Sequence, residues 1–138
     1  MLKVFALSLV LSSYILAQNI DAKGEFRVGY QHQEDDDLSI GGGIEVSKNV
    51  AKNLKVNIGF HTTNHLFGLH DSSGIPFFDS NAKSYSILDI ANLDFSVENT
   101  RLILGRQDLE TPFINGDDVG MIASRYEAYT ITNRDFQD

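Results

Sequence analysis

Cysteine and tryptophan are absent from this 138-residue chain, and proline occurs only twice. Without cysteine there is no disulfide scaffold, no thiolate metal site and no lipid-bearing N-terminal cysteine. Basic clusters are missing too: 11 Lys and Arg stand against 19 Asp and Glu, a formal net charge of -8. A nucleic-acid surface needs clustered positive charge, so no such partner is expected. Beyond residue 17 there is no long apolar run, and a transmembrane helix needs roughly 20 apolar residues. No serine sits in a nucleophile elbow. No glycine-rich segment leads into a helix that would cradle phosphate. The chain is expected not to be an enzyme and to carry no cofactor.

What is present begins with an export signal. Lys3 supplies a positive start, and Val4 to Leu16 is a mostly apolar stretch of 13 residues. That is too short to span a bilayer and suits a secretory signal peptide over residues 1–17. Cleavage after Ala17 would leave Gln18 as the first mature residue.

From Ala22 onward the hydrophobic period is two, the period of a half-apolar strand. Phe26, Val28 and Tyr30 alternate with Glu25, Arg27, Gly29 and Gln31. Leu38 to Ser47, Asn53 to His61 and Ala91 to Val97 repeat the pattern, and Arg101 to Arg106 and Arg125 to Asn133 give a fifth and sixth strand. Extending the alternation above Ala91 puts Asp89 on the apolar side. Either Asp89 lies beyond the apolar band or a bulge switches the parity there. In the sixth strand Tyr129 and Ile131 are assigned to the apolar face. Gly41-Gly42-Gly43 reads as strand where small residues permit curvature or the close approach of a loop.

The connections sort by side. Links at 48–52 and 98–100 are short, and those at 62–84 and 108–124 are long. Only 33–37 is a short link on the long-link side. Short links inside and long links outside are the habit of transmembrane barrels. Periodicity by itself leaves a soluble Greek-key or lipocalin-like barrel open, because it does not say which face is interior.

One segment carries a more specific signal. Gly105-Arg106-Gln107, Leu109, Thr111-Pro112-Phe113, Asp117-Asp118, Met121 and Tyr126-Glu127-Ala128-Tyr129-Thr130 follow one another over about 30 residues. This stretch resembles the OprD-type outer-membrane porins, where it marks the passage from a barrel strand into the loop that narrows the pore. The resemblance implies an all-β fold. It makes residues 18–138 the N-terminal portion, about six antiparallel strands, of a transmembrane barrel that has 18 strands when complete. The constriction loop would lie near 108–124. Six strands fall short of the minimum of about eight for such barrels, so the chain is expected to be a fragment of a longer protein.

The function implied is a passive diffusion channel for small hydrophilic solutes, amino acids or other carboxylates among them, in the outer membrane of a Gram-negative cell. Its surroundings would be outer-membrane lipid and lipopolysaccharide, and the full-length protein would be a homo-oligomer, a trimer. Pore selectivity comes from charged side chains and pore width. By strand parity Arg27, Lys55 and Arg101 fall on the polar faces. By resemblance, Arg106 and Gln107 join the solute path, with Asp117 and Asp118 in the loop opposite. The competing role for each is a structural ion pair.

The remaining candidates read more plainly. His32, His61, His65 and His70 lack the spacing of a metal motif and are expected to be solvent-exposed, mostly in loops. Glu34-Asp35-Asp36-Asp37 lacks the spaced ligands and fixed glycine of an EF-hand and reads as a hydrated turn. No metal site is expected. A second functional reading is an outer-membrane barrel acting as an adhesin or envelope-interaction protein through the 62–84 connection. A third is an exported soluble β-barrel holding an apolar ligand among Phe26, Val56, Phe60 and Phe95.

Overall fold

The computed structural model describes residues 20–32, 36–66, 83–114, 116 and 120–135. Residues 1–17, expected to be an export signal, with Asp117, Asp118, His70, the Glu34-Asp35 pair and most of the 62–84 connection, lie outside the described residues.

The fold is all-β. Six strands, β1 (Asp21–His32), β2 (Asp36–Ala51), β3 (Leu54–His65), β4 (Tyr85–Val97), β5 (Thr100–Gln107) and β6 (Tyr126–Asn133), form one sheet. They are ordered as in the chain, and every neighbouring pair is antiparallel. Several strands run past the alternating core of the sequence pattern. β3 continues through Thr62, Thr63 and Asn64, and β4 begins at Tyr85. Polar residues occupy both faces at those ends, so period two is lost there although the pairing persists.

Two hairpins turn on two residues each, 52–53 and 98–99. Glu98 has φ 50. Such tight hairpins favour positive φ at their first central position, because the turn must match the twist of the strands.

Cross-strand register assigns every side chain to a face, because directly paired residues point to the same side. Val46, Ile58 and Ala91 share one face, as do Leu54, Phe95, Leu102 and Ile131. Tyr129 pairs with Leu104 and joins them. The opposite face carries Glu25, Arg27, Glu45, Lys55, Asn57, His61, Asp94, Arg101 and Gln107.

At Asp89 the parity switches. Gly59 pairs with Ile90 and Phe60 with Leu88, so Asp89 is an extra residue in β4. A bulge of this kind re-aims a side chain without ending the strand. Leu88 is thereby returned to the apolar face and Asp89 is delivered to the polar one.

The apolar face is uncovered. Phe26 is 71% exposed and Tyr129 81%. The polar face is covered in part: residues 120–125 lie across it, and Met121, at 2% exposure, is the one fully buried apolar side chain among the described residues. Burial is thus inverted relative to a water-soluble sheet. Burying one large apolar side chain is worth roughly 1.5–3 kcal/mol, so a face left this bare in water is a large standing cost.

Candidate functional site

The site is the polar face together with the connection that lies on it. Glycines in β2 make the room. A Cβ on Gly41 would come within 3.2 Å of Met121 Cε, and one on Gly43 within 2.0 Å of the His61 ring. The absent side chains therefore let Met121 and the His61 imidazole lie directly on the backbone.

His61 is 3% exposed and Asp89 2%. His61 Nδ1 is 2.8 Å from Asp89 Oδ1, and His61 Nε2 is 3.1 Å from Glu25 Oε1. The histidine is therefore buried within β3. This corrects the expectation of an exposed residue at a strand end, and the cause is the covering connection and the vacant Cβ position at Gly43. Glu25 is held in turn by Arg27, through Nε at 2.9 Å and Nη2 at 3.0 Å. Arg27 Nη1 donates to the Gly120 carbonyl at 3.2 Å, which ties β1 to the far connection.

Arg125 ends that connection and points back into the same cluster. Its guanidinium is 3.7 Å from Glu45, 3.7 Å from Asp89 and 3.9 Å from Asp108. One cation so serves carboxylates from β2, β4 and the start of the connection. No sequence motif marked Arg125, although the parity break at Asp89 was visible. Among the described residues, no group of three or more His, Asp or Glu is placed to hold a metal ion.

A second polar group lies toward the short-turn end. Arg101 Nε and Nη2 donate to the two carboxylate oxygens of Asp94 at 3.0 and 2.7 Å, a fork that fixes both side chains. Lys55 pairs with Asp94 across the β3–β4 ladder. Asn57 Nδ2 donates to Asn92 Oδ1 at 2.7 Å. Between the two groups is a depression of about 240 Å³ lined by Lys23, Glu45, Lys55, Asn57, Arg101 and Asp108 among others. Lys23 and Glu45 are cross-strand partners in it, so cations and carboxylates are interspersed along the depression.

The sequence candidates fare differently. Arg27, Lys55, Arg101 and Gln107 do share the polar face. Gln107 is 4% exposed and its amide is already committed: Nε2 donates to the Ala128 carbonyl at 2.9 Å, and Oε1 accepts from Thr130 at 3.1 Å. It staples β5 to β6 and has little left for a solute. Arg106 does not belong with the others. It pairs with Ala91 and Glu127, on the face of Leu102 and Leu104, and its Nη1 donates to the Leu88 carbonyl at 2.6 Å. Arg106 lies five residues after Arg101 in the same strand, so alternation puts it on the opposite, uncovered face. Phe26, Phe60 and Phe95, with Val56, share the uncovered face of an open sheet, which gives an apolar ligand no enclosure.

No family model, no curated protein and no solved structure matches this chain.

Proposed function

We propose that the sheet is part of the wall of an outer-membrane diffusion channel of the OprD type, with the apolar face toward lipid and the polar face toward an aqueous pore. The observation that carries this reading is the inverted burial: large apolar side chains such as Phe26 and Tyr129 are bare while His61, Asp89, Asp94 and Gln107 are buried. Transmembrane barrels alternate apolar-out and polar-in for this reason.

The geometry of the apolar band supports the same reading. The band is centred near Val28 in β1, which pairs through Ile40 with Asn64. In β6 it is centred near Thr130, which pairs through Ile103 and Asp94 with Lys55. Crossing five strand steps, the band therefore slides nine residues along β3. At about 3.3 Å per residue and 4.8 Å per strand, a level band requires strands tilted by about 50°. Membrane barrels tilt their strands by about 35–45°. Polar residues lie above the centre of the band on the same face, with Asn64, Ser86 and Glu127.

Within the pore, the 108–125 connection narrows the passage, and the depression between Lys55, Arg101, Glu45 and Asp108 meets small solutes that carry a carboxylate. β1 and β6 each pair on one side only among the described residues. Closing the wall takes further strands, since lipid tolerates no open edge.

The test is planar-bilayer recording of the native outer-membrane protein that contains this sequence. Stepwise conductance, reduced by millimolar amino acids or other small carboxylates, is the expected result. A protein that inserts and never conducts overturns the channel reading and favours an adhesin or envelope-interaction role.

A further inference from the structure

Resting on the reading of the sheet as a membrane wall, we propose that a trough around Gly42 on the apolar face binds one acyl chain of a phospholipid. Three cross-strand rows meet there. Phe26, Gly42 and Thr62 form the middle row, with Ile44 and Phe60 on one side of it and Ile40 and Asn64 on the other. Directly paired residues point to the same side of a sheet, so all of these share the apolar face. Gly42 has no side chain to fill the middle row, and a depression of about 570 Å³ is left among its neighbours. The backbone forbids filling it from within: φ at Gly42 is +144, and an added Cβ would come within 2.2 Å of the Glu25 carbonyl oxygen.

The trough has two unlike ends. Phe26, Ile44 and Phe60 present bare apolar surface, at 71%, 56% and 49% exposure. Along β3 the same face then turns polar. Asn64 Nδ2 donates to Thr62 Oγ1 at 3.1 Å, and Thr62 Oγ1 shares a hydrogen bond of 2.8 Å with Ser86 Oγ. An amide nitrogen carries two hydrogens, so the second Asn64 N–H is left to donate to a ligand. From Phe60 to Asn64 the trough runs about 13 Å. Its lining brings in no cation, and Glu25, which touches it, directs its carboxylate to the opposite face, toward Arg27 and His61.

An apolar trough that ends in a neutral donor fits an apolar chain that ends in a neutral acceptor, which is the acyl chain and ester carbonyl of a phospholipid. A lipid bearing several phosphates would need cations at that end. A second copy pressing its own apolar band here would set the Asn64 amide against hydrocarbon side chains and leave its donor unsatisfied. The trough is open outward, so in water it encloses nothing; in a bilayer the neighbouring chains cover that side. Asn64 and Ser86 lie above the centre of the apolar band, on the side where the ester of a chain lying in the band belongs.

Native mass spectrometry of the outer-membrane protein that contains this sequence, purified in detergent micelles, tests the site. One phospholipid retained per chain is the expected result. Ile44→Trp fills the trough and is expected to lower the retained fraction about ten-fold. Ile131→Trp makes the same change on the same face in β6, where the side chain is 74% exposed, and is expected to leave retention unaltered. Asn64→Leu removes the donor and is expected to lower retention about three-fold, the worth of one hydrogen bond. Absence of retained phospholipid, retention of lipopolysaccharide in its place, or equal losses in I44W and I131W overturns the proposal. So does an oligomer that carries no lipid and falls apart in I44W, which assigns the trough to a second copy. Should I44W fail to fold, N64L decides, and undiminished retention there overturns the proposal as well. None of these readouts needs ion flow. Lipid held by a protein that does not conduct separates failure of the channel reading from failure of the site, and a conducting protein that holds no lipid separates the reverse.

Discussion

The two faces of this sheet come from the same strands with the same period, yet they are built by different means. The apolar face is a property of single residues: each of Val28, Ile58, Phe95 and Ile131 is where its strand parity puts it. The polar face is a property of combinations. Its cluster takes Glu25 from β1, His61 from β3, Asp89 from a bulge in β4 and Arg125 from a distant connection. Hydropathy identifies the first face, but only long-range contact reveals that the second one holds the buried side chains.

The comparison breaks most sharply by placing the same charge on each side of one strand. Ile58 and Asn57 are adjacent in β3 and point to opposite faces. In the membrane wall proposed above, Ile58→Arg is expected to destabilise the protein by about 2–4 kcal/mol, the cost of arginine on a lipid-facing position near mid-depth. Asn57→Arg is expected to cost about 1 kcal/mol, mainly the lost hydrogen bond to Asn92. Denaturant titration in lipid vesicles measures both, and equal losses would remove the distinction between the faces.

Glycines test how tightly each region is fitted. Gly42 has φ +144, and a Cβ there would come within 2.2 Å of the Glu25 carbonyl oxygen, so Gly42→Ala is expected to cost about 1–3 kcal/mol. At Gly24 the nearest atom to an added Cβ is 3.8 Å away, and Gly24→Ala is expected to be close to neutral. Unfolding midpoints of the two variants check the difference.

Met121→Ala removes the apolar plug beside Gly41. A loss of about 1–2 kcal/mol is expected, confined to the docking of the connection. Faster cleavage by Glu-specific protease at Glu110, with the strands unaffected, would report it. The smallest effect lies at the short-turn end. Hydrogen bonds from Asn99 and Asn133 hold the Asp135 carboxyl below its ordinary value. A carboxyl lowered by folding adds stability above its unfolded value and loses it as pH falls through the folded one. Below about pH 4 the protein is therefore expected to weaken slightly, and Asp135→Asn to flatten that part of the stability profile.

Much of this arrangement was legible beforehand. All six strands and the contrast between tight and long connections follow from period and turn chemistry, and the choice of Tyr129 and Ile131 for the apolar face of the sixth strand agrees with their register. Asp89 announced itself as a parity fault. Arg106 was misplaced because the resemblance and not the alternation assigned it: five residues from Arg101 in one strand is the opposite face. His61 ends a strand the pattern marked but was not recognised as buried, since its cover comes from a segment about 60 residues later in the chain. Arg125 gave no signal at all: an arginine beside a strand is ordinary until three carboxylates from elsewhere converge on it.

The Asp89 bulge has one more implication. A strand carries its two-sided message in a reading frame of two, and a single inserted residue garbles everything on one side of it. In β4 the frame is restored within the strand itself, because the insertion is absorbed between Leu88 and Ile90. A scan of sequence alone therefore sees two short, out-of-phase segments where the folded chain has a single strand of 13 residues. Related walls would be aligned correctly only by allowing a one-residue gap in mid-strand, at the place where an aspartate interrupts the apolar beat.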